Sequence, residues 1–361
     1  MKKIIAISTI SLLIAEIILS TINVTAQSWT QKADFMGTGR ADAVGFSIGT
    51  KGYVGTGWDD AGVSYKDFWE FDPSANSWTQ KADFGGTPRY DAVGFSIGTK
   101  GYIGTGDDGM PTKDFWQYNQ STNTWTSKAT MFGAVERAGA VGFSIGAKGY
   151  IGTGWDWGFS YLKDFWEYDT TANSWTQKTD FGGVGRWQGI GFSIGTKGYL
   201  GTGIGSILYK DFWEYNPAIG VGGTWTQKTD FGGTARTQAA GFSIGTKGYI
   251  GTGKDGAWLK DFWEYDASAN SWTQKADFGG TGRQYAVGFS IGSCGYLGTG
   301  EEDVPYLNQI DFWEYCNAAL PIELLTFATK VIDNESVLIE WSTASESDND
   351  YFTSHESQKK P

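Results

Sequence analysis

Chemistry needs ionisable or nucleophilic side chains, and this chain carries an uneven set of them. Its 361 residues include one His, His355, and two Cys, Cys294 and Cys316. One His excludes most His-based acid–base catalysis and any multi-His metal site. Two Cys are too few for a structural zinc site or a disulfide-dense scaffold. Ser-His-Asp and Cys-His sets are missing as well, so no catalytic residue, metal or cofactor is assigned. Six Arg (Arg40, Arg89, Arg137, Arg186, Arg236 and Arg283) recur at one place in an internal repeat. They could ring the mouth of a central channel and attract an anion. The plainer alternative pairs each with an equally periodic Asp: Asp67, Asp114, Asp164, Asp211, Asp261 and Asp311. Glu136, beside Arg137, is the one irregular acid at that place and the sole candidate for acid–base work, against a plainer reading as a solvated loop charge.

The richest set is aromatic. Of 18 Trp, five fall in variable stretches: Trp58, Trp155, Trp157, Trp187 and Trp258. Tyr65, Tyr90, Phe159, Tyr161, Tyr209, Tyr285 and Tyr306 accompany them, beside Asp59, Asp60, Asp107, Asp108, Asp156 and Asp255. Rings offer apolar faces for stacking and carboxylates accept hydrogen bonds from hydroxyls, which suits a sugar- or peptide-binding surface. Trp155, Trp157, Tyr161 and Trp187 are expected to form one patch; a small loop core is the alternative. Asp108-Gly109 and Asp255-Gly256 fit turn chemistry as well as calcium ligation.

Composition narrows the partners. A net charge of −12 argues against nucleic acid. The 53 Gly without a Gly-X-Y period exclude collagen, and 58 aromatics exclude a disordered chain.

What positions these residues is a repeat. Gly-Phe-Ser-Ile-Gly occurs around Phe46, Phe95, Phe143, Phe192, Phe242 and Phe289. Each copy is followed by Gly-Tyr-(Val/Ile/Leu)-Gly-Thr-Gly, a variable stretch, Asp-Phe-Trp-(Glu/Gln)-(Phe/Tyr), and Trp-Thr-(Gln/Ser)-Lys. A period near 50 with four short strands, A to D, predicts an all-β propeller of six blades. In the first unit the strands are expected near 43–48, 52–57, 67–72 and 77–84. The chain after residue 26 opens on a lone D-type strand, 28–35, and its last unit ends at Tyr315 without one. The N-terminal strand is therefore expected to complete the sixth blade, leaving no free edge and a monomer.

These motifs resemble kelch repeats over residues 28–316. The resemblance rests on the Arg before strand A, the Gly pair ending strand B, the aromatic strand C, and Asn-x-Trp opening strand D. Gly-Thr-Gly, as at Gly55-Thr56-Gly57, departs from the adjacent Gly pair of that family. Some kelch-like propellers are enzymes. A copper site of the galactose oxidase type needs two His, and His355 lies outside the repeat. A second branch, resembling sialic acid epimerases, implies acid–base chemistry at the channel mouth.

Cys294 stands where other units carry Lys51, Lys100, Lys148, Lys197 and Lys247, and Cys316 where they carry Asp72, Asn119, Asp169, Asn216 and Asp266. Strands B and C are antiparallel neighbours, so a Cys294–Cys316 disulfide is predicted. The A–B and C–D connections are nearly constant, whereas the D–A and B–C connections of the opposite face vary in every blade. A rigid scaffold with one diversified face suggests binding there.

Residues 1–26 read as a cleaved signal peptide, with Lys2 and Lys3, an apolar stretch from Ile4 to Leu19, and Val24-Thr25-Ala26 before the cut. Residues 317–361 read as a truncated acidic β-rich tail, with strands near 320–327 and 338–346. The tail resembles the stretch preceding the sorting domain in type IX secretion cargo. The expected protein is thus an exported six-bladed kelch-type propeller, secreted or at the cell surface, or periplasmic if the tail directs no further export. It spans no membrane after signal cleavage. It recognises a glycan or an extracellular protein through the D–A/B–C face. The alternatives are a sugar-active enzyme and a structural surface repeat protein.

Overall fold

The computed structural model describes residues 28–131, 133–303 and 307–316, together with the strands Lys3–Ser8, Leu324–Asp333 and Ser336–Thr343. Residues 27–316 form one compact unit; residues 1–26 with 317–361 form another. In the second unit the three strands make one antiparallel sheet, ordered Lys3–Ser8, Ser336–Thr343, Leu324–Asp333. The tail strands begin and end several residues away from their expected positions. The signal cleavage site, Tyr306 and His355 lie outside the described residues. Among the described residues no helix is long and apolar enough to cross a membrane.

The first unit is a ring of six four-stranded blades, and the sequence expectation of a six-bladed propeller holds. In blade 1 the strands are A Val44–Ile48, B Lys51–Gly55, C Phe68–Asp72 and D Ser77–Lys81, with register Phe46↔Tyr53, Tyr53↔Glu70 and Glu70↔Thr79. The six A strands pack side by side round the axis. Blade 6 is Val287–Ile291, Cys294–Gly298 and Phe312–Cys316, completed by Trp29–Gln31 with Trp29 opposite Tyr315. The N-terminal strand therefore closes the ring.

Each motif residue holds neighbouring blades together. Phe68 on strand C of blade 1 meets Trp125 of blade 2 edge-on at 5.0 Å, and the closing Trp29 meets Phe262 of blade 5 at 4.9 Å. Such contacts add about 0.5–1.5 kcal/mol beyond area burial. The Asn of Asn-x-Trp sits in the left-handed region, as at Asn123 (φ 52°), where Asn is tolerated. Its side-chain oxygen accepts the Ala82 N–H of the preceding blade at 2.9 Å, and Trp125 Nε1 donates to Ala82 O at 3.1 Å. Glycine is required where blades touch: a Cβ on Gly101 would stand 2.4 Å from the Phe46 ring of blade 1.

A disulfide joins Cys294 to Cys316, directly opposite in the strand B–C ladder of the closing blade. Three of the five equivalent positions carry ion pairs: Lys51–Asp72, and Lys148–Asp169 and Lys247–Asp266, the last two at 2.5 Å. The crosslink spans a separation of 22 residues. It should contribute about 2–4 kcal/mol. The Cys294→Ser/Cys316→Ser variant is expected to unfold at correspondingly lower denaturant. An unchanged midpoint would leave closure to the Trp29–Gln31 strand alone.

Candidate functional site

The face carrying the D–A and B–C connections is built on one buried ion pair per blade. Each of the six Arg is 0–1% exposed. Arg137 donates from both terminal nitrogens to Asp164, at 2.8 and 2.6 Å, and from one of them to Thr153 O at 3.1 Å. Arg186 does the same to Asp211 and to Thr202 O. Trp166 and Trp213 donate their indole N–H to the same carboxylates, which explains why Asp stands two residues before Trp in the motif. Phe35, Phe84, Phe181, Phe231 and Phe278 each lie against a guanidinium at 4.8–5.0 Å. Burial alone would raise Asp164, Asp211 and Asp261, but the Arg hydrogen bond and charge outweigh it and hold all three below the ordinary carboxylate range.

The channel-mouth reading of the Arg is therefore corrected. Arg40, Arg89, Arg137, Arg186, Arg236 and Arg283 do not line the mouth, because each is closed in a pair with Asp67, Asp114, Asp164, Asp211, Asp261 or Asp311. Glu136 pairs with Lys113 at 2.8 Å, is half-exposed, and lines no cavity described here.

What reaches the mouth is the residue two positions after each Arg: Asp42, Asp91, Gly139, Gln188, Gln238 and Tyr285. All six have φ between 51° and 60°. Their backbones link in series, Gly139 N–H to Asp91 O (3.0 Å), Gln188 to Gly139 (2.7 Å), Gln238 to Gln188 (3.2 Å), Tyr285 to Gln238 (3.1 Å) and Asp42 to Tyr285 (3.3 Å). This turn brings one residue per blade to the axis, five of them with side chains and Gly139 without, around a cavity of about 170 Å³.

The residue after each Arg pairs through its backbone with the start of the B–C loop: Ala41 with Trp58, Tyr90 with Asp107, Ala138 with Trp155, Trp187 with Ile204, and Thr237 with Lys254. Blades 1 to 4 each place one aromatic ring in such a pair, whereas blades 5 and 6 place Thr237, Lys254, Gln284 and Glu301. Trp58, Tyr90, Trp155 and Trp187 thus wall a cavity of about 370 Å³ with Asp42, Asp91, Gln188 and Tyr285. Trp155, Phe159, Tyr161 and Trp187 line an adjoining cavity of about 260 Å³, with Trp155 and Trp187 common to both.

Of the expected aromatic set, Trp58, Trp155, Tyr161 and Trp187 come together. Trp157 is 60% exposed and lines neither cavity, its place in the patch being taken by Phe159, stacked on Trp155 at 5.8 Å. Trp258 holds the Lys254 ammonium over its ring at 3.8 Å and lines neither cavity. Tyr65 and Tyr209 lie over Arg40 and Arg186. Four of the loop acids serve their own loops, Asp59 accepting Ala61 N–H, Val63 N–H and the Tyr65 hydroxyl, and Asp107, Asp156 and Asp255 accepting Gly109, Ser160 and Ala257 N–H; Asp60 and Asp108 tie loops together, accepting Asn308 N–H and the Thr87 hydroxyl.

Asp42 and Asp91 are the site residues that sequence reading missed. The two carboxyls line the same two cavities; Trp58 Nε1 donates to Asp42 at 3.2 Å and Gln188 Nε2 to Asp91 at 3.4 Å. Burial, with the charge of Asp91, pushes Asp42 well above the usual range, and burial lifts Asp91 to about 6. Burial also raises Tyr90, to about 12. A signal was present in the chain: two residues after the Arg, an otherwise repetitive segment changes from blade to blade.

No family model and no curated protein matches the sequence. Among solved structures 593 chains match. One is the structure of YjhT, at TM-score 0.65 and 16% identity, covering 85% of this chain and 99% of that one. That likeness shows the fold. At such identity it selects no activity, because one propeller scaffold hosts many functions.

Two outcomes follow. Asp211→Ala leaves the Arg186 guanidinium buried and unpaired and is expected to cost about 3–5 kcal/mol, measured by urea unfolding; a loss within error would mean the pair is dispensable. Asp91 ionises near 6 when folded, against 3.8 for a free carboxyl. A raised pKa contributes stability that is present below about 3.8 and lost as pH climbs through 6. Stability of the parent relative to Asp91→Asn should therefore fall between about pH 4 and 6. Parallel pH profiles would refute the burial of this carboxyl pair.

Proposed function

We propose that this chain is an exported, non-enzymatic propeller that binds a glycan at its axial mouth. The observation that carries the reading is the 370 Å³ cavity, where Trp58, Tyr90, Trp155 and Trp187 stand beside Asp42, Asp91 and Gln188. Indole and phenol rings pack on the C–H faces of a sugar ring, while carboxyl and amide groups exchange hydrogen bonds with its hydroxyls. The adjoining cavity, sharing Trp155 and Trp187, extends the surface for a second sugar unit.

Export is supported by the basic-then-apolar leader of residues 1–26 and by a disulfide, which suits an oxidising compartment. The tail's likeness to type IX secretion cargo favours a secreted or surface location, or a periplasmic one if the tail directs no further export. One observation favours a second reading, a sugar-active enzyme: Asp42 and Asp91 are paired carboxyls held above the usual range, one able to donate and one to accept a proton.

Glycan-array screening of the full chain tests the proposal. Trp155→Ala and Trp187→Ala are expected to reduce glycan binding at least ~10-fold, in keeping with the loss of a buried aromatic anchor. Trp157→Ala and Trp258→Ala should leave it within about twofold, because neither ring lines the cavities. Binding that is absent, or insensitive to Trp155 and Trp187, would reject the site. Turnover of a bound sugar that Asp42→Asn abolishes would select the enzyme.

A further inference from the structure

The mouth holds two carboxyls, Asp91 buried and Asp42 partly buried, and, among the residues lining it, no cation. The six Arg are closed in ion pairs, and Lys254 lies over Trp258. The charged groups acting on the pair are acidic: Glu301 on Asp42 and Asp107 on Asp91. The remaining titratable groups facing it, Tyr90 and Tyr285, are phenols held in their neutral form by burial. Burial and the charge of Asp91 favour a proton on Asp42, and burial does the same for Asp91.

Gln238 gives an independent sign. Its amide nitrogen donates to Gln188 Oε1 at 2.8 Å and to the Tyr285 hydroxyl at 2.5 Å, which fixes the orientation of the amide. Its oxygen is left buried without a partner, in the residue set that borders the axial cavity with Asp42 and Asp91. A buried acceptor left unsatisfied is costly, so its position calls for a donor. One small cavity is therefore lined by three residues that carry acceptor groups, Asp42, Asp91 and Gln238. An ammonium offers three N–H donors and a positive charge. The ring faces of Trp58, Tyr90, Trp155 and Trp187 beside it favour a cation as well.

We propose that the mouth recognises its glycan through a free amino group, that of an unacetylated hexosamine, with the ammonium lodged among Asp42, Asp91 and Gln238. The inference rests on the glycan reading and adds the charge of the ligand. As the ammonium enters, the carboxyl that burial keeps protonated releases its proton to solvent, and both carboxyls become the counter-charge of the ligand. The net charge of −12 attracts such a ligand at long range. N-acetylation removes the positive charge and two of the three donors, and it adds a carbonyl that would face acids.

Titration calorimetry of the full chain with glucosamine tetramer and N-acetylglucosamine tetramer tests this, at about pH 6.5, where an amine stays charged. Two buffers of different ionisation enthalpy report the proton. The amino tetramer is expected to bind at least ~10-fold tighter than the acetylated one, with net proton release, and Asp42→Asn or Asp91→Asn should remove that preference. Asn tolerates the left-handed backbone at these positions (φ 51° and 53°), so the variants keep the fold, as circular dichroism would check. Equal binding of the two tetramers, or no proton release, overturns the amine inference and leaves the glycan reading intact. Failure of every glycan, with or without binding of a lysine-rich peptide, overturns both.

Discussion

The Arg–Asp pair buried in every blade is the interaction on which the rest of the functional face depends. A guanidinium taken out of water is tolerated only when its donors are satisfied. Arg89 shows how fully this is done: Nε donates to Thr87 O, one terminal nitrogen to Thr105 O and Asp114, the other to Thr87 Oγ1 and Asp114. Those partners come from the D–A connection, the end of strand B and the start of strand C. One side chain thus ties three chain segments that diverge at the rim. Its cation also holds the Asp that receives the Trp indole of strand C.

That clamp accounts for the Gly-Thr-Gly motif. The middle Thr is left-handed in all six blades, with φ from 56° to 61°, a region a β-branched residue normally avoids. Its carbonyl is an Arg acceptor in every blade. In blade 1 its hydroxyl also accepts Val44 N–H at 3.3 Å. The unfavourable backbone is therefore held by hydrogen bonds at its carbonyl, and the flanking glycines absorb the rest of the turn, as at Gly57 (φ 90°).

Legibility in the sequence followed periodicity. Blade number, strand order, ring closure and the Cys294–Cys316 bond could be read because each rests on positions repeated around the ring. The Arg ring was legible as a pattern but ambiguous in role, since a sequence cannot say whether Arg137 points at the axis or at Asp164. The site was half legible. Trp155 and Trp187 stood out by type, whereas Trp157 and Trp258 are of the same type and point elsewhere. Asp42 and Asp91 escaped because a short acidic residue beside an Arg reads as surface. Only the left-handed turn, a property of the backbone, turns them inward.

A near-identical repeat builds an asymmetric site because the clamp fixes backbone and leaves side chains free. Once Arg and Asp are joined, the next two residues and the first of the B–C loop have their positions set by main-chain hydrogen bonds alone. Those positions can then differ without disturbing the blade: Ala41 with Trp58 in one, Trp187 with Ile204 in another, Thr237 with Lys254 in a third. Asp42 and Asp91, committed neither to a loop turn nor to an Arg, fall on adjacent blades, next to the aromatic rings of blades 1 to 4. The contrast with Asp59 or Asp211 is in their partners. Those acids already hold enough donors to stay ionised, whereas the mouth pair has one indole and one amide. A carboxyl pair left short of donors in a cavity open to solvent is the place on this molecule where an incoming donor would gain most.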